Sequence, residues 1–143
     1  MYEYNAKVVR ILDADSIIVD IDLGFNIILN NHYIRLEGID APELRSKNKI
    51  EKEAALVAKK FVEDRISVGD NIYIKIYPNK YDKFGRTLGT IFTKEYENIN
   101  ENLLKNKLVV KYTGQSTKQL KIDHETNLKT LVEMNVINQT GYT

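Results

Sequence analysis

A chain of 143 residues is sized for one domain with a single sizeable core. It has no cysteine, which excludes disulfides, thiolate metal sites and a cysteine nucleophile, and its net charge of +1 argues against coating nucleic acid through bulk electrostatics. No apolar run reaches transmembrane length, and Met1-Tyr2-Glu3-Tyr4-Asn5-Ala6-Lys7 lacks the basic patch and apolar stretch of a secretory signal, so an intracellular protein without membrane association is expected, with export left open.

The first apolar run, Val8 to Leu12, breaks at Asp13-Ala14-Asp15-Ser16. Ile17, Val19, Ile21 and Leu23 then alternate with Ile18, Asp20 and Asp22, the period of a half-buried strand. Gly24 marks a turn into Phe25 to Leu29, and Asn30-Asn31 a second turn into Tyr33 to Leu36. Beyond a polar loop, Glu51 to Arg65 sets Ala54, Ala58, Phe61 and Val62 on one helical stripe and stops at Gly69-Asp70. Ile72, Ile74 and Ile76 define a fourth strand ending at Pro78, and Leu88 to Phe92 a fifth. Two further helices are expected at Asn98 to Lys105 and Asp123 to Asn135. Five strands, one helix after the third and more at the end predict an α+β fold dominated by β: a five-stranded OB-fold-like barrel with about three helices, in one domain over residues 1–143.

The chemistry concentrates in Ile34-Arg35-Leu36-Glu37-Gly38-Ile39-Asp40-Ala41-Pro42-Glu43, where an apolar strand runs out into a loop stiffened by Pro42. One guanidinium and several carboxylates in so short a stretch can hold a divalent cation beside a phosphate. Asp13 and Asp15 stand at the first strand break and fall on one side if the segment stays extended, although the segment alone is also an ordinary polar turn. Oxygen ligands of this kind suit Ca²⁺, Mg²⁺ or Mn²⁺ rather than zinc. Asp82-Lys83-Phe84-Gly85-Arg86 adds two cations before a strand; taken alone it is a charged hairpin loop, but an arginine fork also matches a phosphate bidentately.

Together, Val9-x-x-Leu12-Asp13-Ala14-Asp15-Ser16-Ile17, Arg35-Leu36-x-Gly38-Ile39-Asp40-Ala41-Pro42-Glu43 and Asp82-Lys83-Phe84-Gly85-Arg86 resemble the staphylococcal nuclease (thermonuclease) family. The likeness covers about residues 6 to 135 and extends to Asn100-Glu101-x-Leu103 and His124-Glu125-x-x-Leu128. It implies Ca²⁺-dependent cleavage of phosphodiesters in DNA and RNA, leaving 3′-phosphate ends, with Mg²⁺ or Mn²⁺ as less favoured cations. By that resemblance Asp15 and Asp40 supply metal carboxylates and Ala41 a backbone carbonyl; Glu43 activates water; Arg35 and Arg86 bind the phosphate; and Lys83, Phe84 and Tyr112 contact substrate. Ala14, Ser16, Ala41 and Phe84 stand where the family commonly has glycine, threonine, threonine and tyrosine; the carbonyl at 41 survives any substitution, and Phe84 keeps a stacking face without a hydroxyl.

His32 and His124 are read as surface or packing histidines, because His124 falls in a predicted helix remote from the motifs and Leu128 stands where a second zinc-binding histidine would be. The alternative is a non-catalytic OB-fold module that binds single-stranded nucleic acid on Tyr73, Tyr77, Phe84 and Tyr112. All five of Asp15, Arg35, Asp40, Glu43 and Arg86 are present, which favours the enzyme, acting as a monomer on DNA, RNA or both.

Overall fold

The computed structural model describes residues 2–138, including every side chain in that range except those at 79 and 80; the remaining positions of the expected 1–143 unit lie outside the described residues. Its elements are β1 (Tyr2–Asp13), β2 (Ser16–Asp22), β3 (Ile28–Leu36), β4 (Ile39–Asp40), α1 (Lys49–Arg65), β5 (Asn71–Tyr81), β6 (Thr87–Phe92), α2 (Ile99–Lys105), β7 (Val110–Lys111) and α3 (Thr117–Glu133). The five long strands close into a barrel in the order β1-β2-β3-β6-β5, as the strand pattern and the family resemblance lead one to expect. The β3–β6 pair is parallel and the other barrel pairs are antiparallel.

Alternating β-branched side chains explain the closure. Val8, Ile17, Val19, Ile34, Ile72, Ile74 and Ile91 are all buried, and their neighbours along each strand face outward. Gly89 is required where β6 crosses this interior: an added Cβ would meet Ile34 Cγ2 at 3.1 Å and Ile74 Cγ2 at 3.2 Å. The helices cover the barrel with short apolar stripes: Ala54, Ala58 and Val62 from α1, Ile99 and Leu103 from α2, and Leu131 from α3 are buried. Asn100, buried in α2, stitches the layers by donating to the Glu37 carbonyl at 2.9 Å and the Gly89 carbonyl at 3.2 Å while accepting from Ile91 N–H at 3.1 Å. Among the described residues no helix is long and apolar enough to cross a membrane.

Four local expectations change. The chain turns at Gly24–Ile27, with Phe25 almost wholly exposed, and β3 begins only at Ile28. Asn30-Asn31 makes a bulge inside β3 rather than a turn: the ladder passes from Val19↔His32 to Ile21↔Leu29, so two asparagines oppose Asp20, whose Oδ1 accepts Asn31 N–H at 2.8 Å, and Asn31 takes a positive φ of 54°. β5 continues past Pro78 because proline falls in an irregular stretch between the Ile76↔Gly89 and Tyr81↔Thr87 pairs, beyond the last β1 partner at Ile76, where no ladder hydrogen bond is asked of it. The last helix starts at Thr117 instead of Asp123, because Ser116 caps it by accepting from Gln119 N–H at 3.1 Å.

Candidate active site

Register places the first half of the site. Ser16 on β2 pairs with Arg35 on β3, and Leu36 N–H donates to the Asp15 carbonyl at 2.7 Å, so the tight β1–β2 turn lies against the end of β3. Ile34 points into the barrel, which sends Tyr33 and Arg35 to the opposite face. Gly38, at φ +79°, then bends the chain into β4, where Asp40 pairs with Val110 of β7. This small β4–β7 sheet has no counterpart in the sequence reading, since two-residue strands carry no periodicity to detect.

Arg35 occupies the centre of the acid cluster. Its Nη1 lies 3.3 Å from Asp15 Oδ2 and donates to the carbonyls of Leu36 at 3.1 Å and Ile39 at 2.9 Å, while Nη2 donates to Asp40 Oδ1 at 2.9 Å. Asp15 Oδ2 also accepts Ala41 N–H at 2.9 Å, and Asp15 Oδ1 accepts the Ser16 hydroxyl at 3.0 Å. Burial works against the charge of Asp15, but the Asp13 side chain, the Arg35 guanidinium and these donors more than offset it and hold its carboxyl below the usual range. Asp13 is pushed the other way, chiefly by burial and then by its hydrogen bond and charge contact with Asp15. The two carboxyls of one turn are thus shifted in opposite directions, Asp13 upward and Asp15 downward.

Arg86 is held differently. Asp82 opens the β5–β6 loop, where its Oδ1 accepts the N–H groups of Phe84 at 2.9 Å and Arg86 at 2.7 Å and its Oδ2 pairs with Arg86 Nε. Arg86 Nη1 donates to the Tyr33 hydroxyl at 3.2 Å, and its guanidinium stands 5.4 Å from the Tyr33 ring and 5.3 Å from the Phe84 ring. Burial opposes the charge on Arg86, yet the Asp82 and Tyr33 hydrogen bonds raise its pKa overall; burial likewise opposes the Asp82 charge, and the Arg86 and Phe84 donors keep Asp82 lowered.

Six of the nine expected site residues, Arg35, Asp40, Lys83, Phe84, Arg86 and Tyr112, line one cleft of about 680 Å³, together with Gly38, Tyr81, Leu88 and Leu120. The β3–β6 pairing explains the meeting of the two arginines, since Ile34↔Thr87 and Arg35↔Leu88 set Arg86 near Tyr33 on the same outer face. Asp15 and Ala41 lie behind Arg35 and do not line the cleft. Glu43 does not line it either; it is exposed, with its backbone N–H on Glu51 Oε1 at 3.2 Å. Phe84 is exposed at the cleft, and Tyr112 is fixed by its N–H on the Gly38 carbonyl at 2.9 Å.

Two residues of this cluster give no sign of it in the sequence. His124, expected to be remote from the motifs, instead reaches from α3 to place Nε2 2.7 Å from Asp40 Oδ2. Tyr33 shows in the sequence only as a strand residue, yet its hydroxyl accepts from Arg86 Nη1. Both contacts are long-range and carry no local signal, whereas the Asp82–Arg86 spacing around a glycine turn is visible in the chain itself.

Among the described residues no three His, Cys, Asp or Glu side chains group as a metal site. The donors that do converge are two carboxylates, from Asp15 and Asp40, bridged by one guanidinium and adjoining the Ala41 backbone. The two carboxylates are oxygen donors of the kind a hard divalent cation takes, and with neither nitrogen nor sulfur ligands beside them they do not fit zinc.

Comparison with known proteins identifies the family. The family model for Staphylococcal nuclease homologue matches residues 33–134, a stretch that contains every expected site residue except Asp15. Endonuclease YhcR of Bacillus subtilis (strain 168) is 31% identical over 109 residues, which cover 73% of this chain and 8% of that protein. Uncharacterized protein MJ1439 of Methanocaldococcus jannaschii is 31% identical over 124 residues, covering 71% of this chain and 56% of its own length. The chain therefore spans less than two thirds of either relative.

Proposed function

Because the chain belongs to the staphylococcal nuclease homologue family, we propose that it is a metal-dependent phosphodiesterase that hydrolyses DNA and RNA, with Ca²⁺ as its cation and 3′-phosphate ends as its products. The observation that carries this reading is the shared cleft: Arg35, Asp40 and Arg86 line it together, and Asp15 touches Arg35 from behind. A binding module needs a basic groove and aromatic faces, and a carboxylate lining that groove, as Asp40 does, works against holding a phosphate unless a cation stands between them.

The reaction is a single in-line displacement. A water oxygen forms the new bond to phosphorus, the bond from phosphorus to the 5′ oxygen breaks, the water proton passes to the Glu43 carboxylate, whose exposed loop must turn toward the cleft to receive it, and solvent supplies a proton to the leaving oxygen. Asp15, Asp40 and the Ala41 carbonyl would hold the cation, which when bound withdraws charge from a non-bridging phosphate oxygen and acidifies nearby water. Arg35 and Arg86 stabilise the negative charge that builds on the equatorial oxygens. A carboxylate is a weak base at neutral pH, so this electrostatic part supplies most of the acceleration. Lys83, whose Nζ stands 5.2 Å over the Phe84 ring, meets a flanking phosphate, and Phe84 and Tyr112 offer faces to bases.

Single-stranded DNA and RNA incubated with the protein in EDTA, and then with excess Ca²⁺ or Mg²⁺, test the reading. Breakage that depends on added Ca²⁺ and leaves 3′-phosphates is expected. Binding without breakage under every condition would replace the enzyme with the binding module.

A further inference from the structure

Asp40 is held at three points. Its backbone lies in the β4–β7 ladder opposite Val110, its Oδ1 accepts from Arg35 at 2.9 Å, and its Oδ2 meets His124 Nε2 at 2.7 Å across 84 residues of sequence. The histidine comes from the middle of α3, and its side chain is only 14% exposed. The acid beside the histidine is engaged elsewhere: Asp123 accepts from Gln119 at 2.9 Å and Gln115 at 3.1 Å.

The tautomer follows from the surroundings of the ring. His124 Nδ1 is buried and has no hydrogen-bond partner among the described residues. A proton there would leave a buried N–H without an acceptor and would turn the bare Nε2 lone pair toward a carboxylate oxygen, which is repulsive. A proton on Nε2 satisfies the carboxylate and leaves only a weak acceptor unpaired. His124 therefore donates to Asp40 and fixes the rotation of its carboxylate.

We propose that His124 is a positioning residue for the cation site: its Nε2–H locks the Asp40 carboxylate against the Arg35 guanidinium that also meets Asp15, rather than leaving it to rotate toward solvent. This rests on the reading that Asp15, Asp40 and Ala41 hold a divalent cation. Partners in this outer position, which orient a ligating group without touching the metal, typically change metal affinity by about 10- to 100-fold when removed.

The test is Ca²⁺ binding by calorimetry without nucleic acid, on the wild type, His124→Ala and His124→Gln, with a thermal melt of each. His124→Ala is expected to bind Ca²⁺ about 10- to 100-fold more weakly than the wild type. His124→Gln, which returns an N–H to Oδ2, is expected to recover most of that loss, and the melts show how much of the His124→Ala change is lost packing. Wild-type affinity in His124→Ala, or no recovery in His124→Gln, overturns the inference; a wild type that binds no Ca²⁺ overturns the metal reading beneath it. Long-range ¹H–¹⁵N spectra of the wild type supply a check that needs no variant. A proton on Nε2 of His124, with ring shifts that move at the Ca²⁺ midpoint, is expected; a bare Nε2 or unmoved shifts overturn the assignment.

Discussion

The two arginines of the cleft are built in opposite ways. Arg35 is buried at the end of a barrel strand and bound to two carboxylates and two carbonyls, whereas Arg86 has a third of its side chain exposed and is paired within its own loop and to one phenol. The first is part of the fold as much as of the site; the second can change partner with little structural consequence. The comparison shows why activity and stability should separate at one arginine and coincide at the other.

Arg35→Ala should have the largest effect. It removes the counter-charge of buried Asp15 and the donors of the Leu36 and Ile39 carbonyls, so denaturant unfolding should show a loss of about 3–5 kcal/mol. Its kcat/KM on oligonucleotides should fall by about 10³- to 10⁵-fold, the scale of an arginine that stabilises phosphoryl transfer. Arg86→Ala should lose activity on the same scale, but its stability should stay within about 1 kcal/mol of wild type, as expected of a partly exposed ion pair. Equal stability losses in the two variants would erase the distinction between them.

Two smaller changes sharpen it. Glu43→Asp withdraws the carboxylate by one methylene without removing it, and kcat should fall by about 10²-fold, the low end of what a positioned base contributes. Tyr33→Phe removes only the hydroxyl 3.2 Å from Arg86; at about 1 kcal/mol for a lost hydrogen bond, kcat/KM should change by about fivefold, with melting unchanged. A larger loss in Tyr33→Phe than in Glu43→Asp would mean that the phenol meets substrate directly.

The same contrast marks what could be read from the sequence. The barrel was legible because its strands alternate: Ile17, Val19, Ile34, Ile72 and Ile74 announce an inner face, and the motif order brings Arg35 and Asp40 onto one strand exit. Local polar rules misled where a tertiary partner took over. The Asn30-Asn31 pair has turn chemistry but is absorbed as a bulge by Asp20, and Pro78, which has no N–H, would stop a strand only where a neighbour needs a donor at that position. His124 was the largest miss in the site. Its helix stripe is weak, with Leu131 the buried residue of α3, so nothing in the chain reveals which face of α3 meets β4. The exposed position of Glu43, outside the cleft, was likewise invisible in the motif that names it.

The central claim is that the acids and the two arginines serve one phosphate and one cation. A crystal structure with Mn²⁺, located by its anomalous signal, and a short oligothymidylate tests it most directly. The account predicts the ion bound by Asp15, Asp40 and the Ala41 carbonyl, with one phosphate contacted by both Arg35 and Arg86. An ion bound elsewhere, or a phosphate that leaves Arg86 on Asp82 and Tyr33, would contradict it.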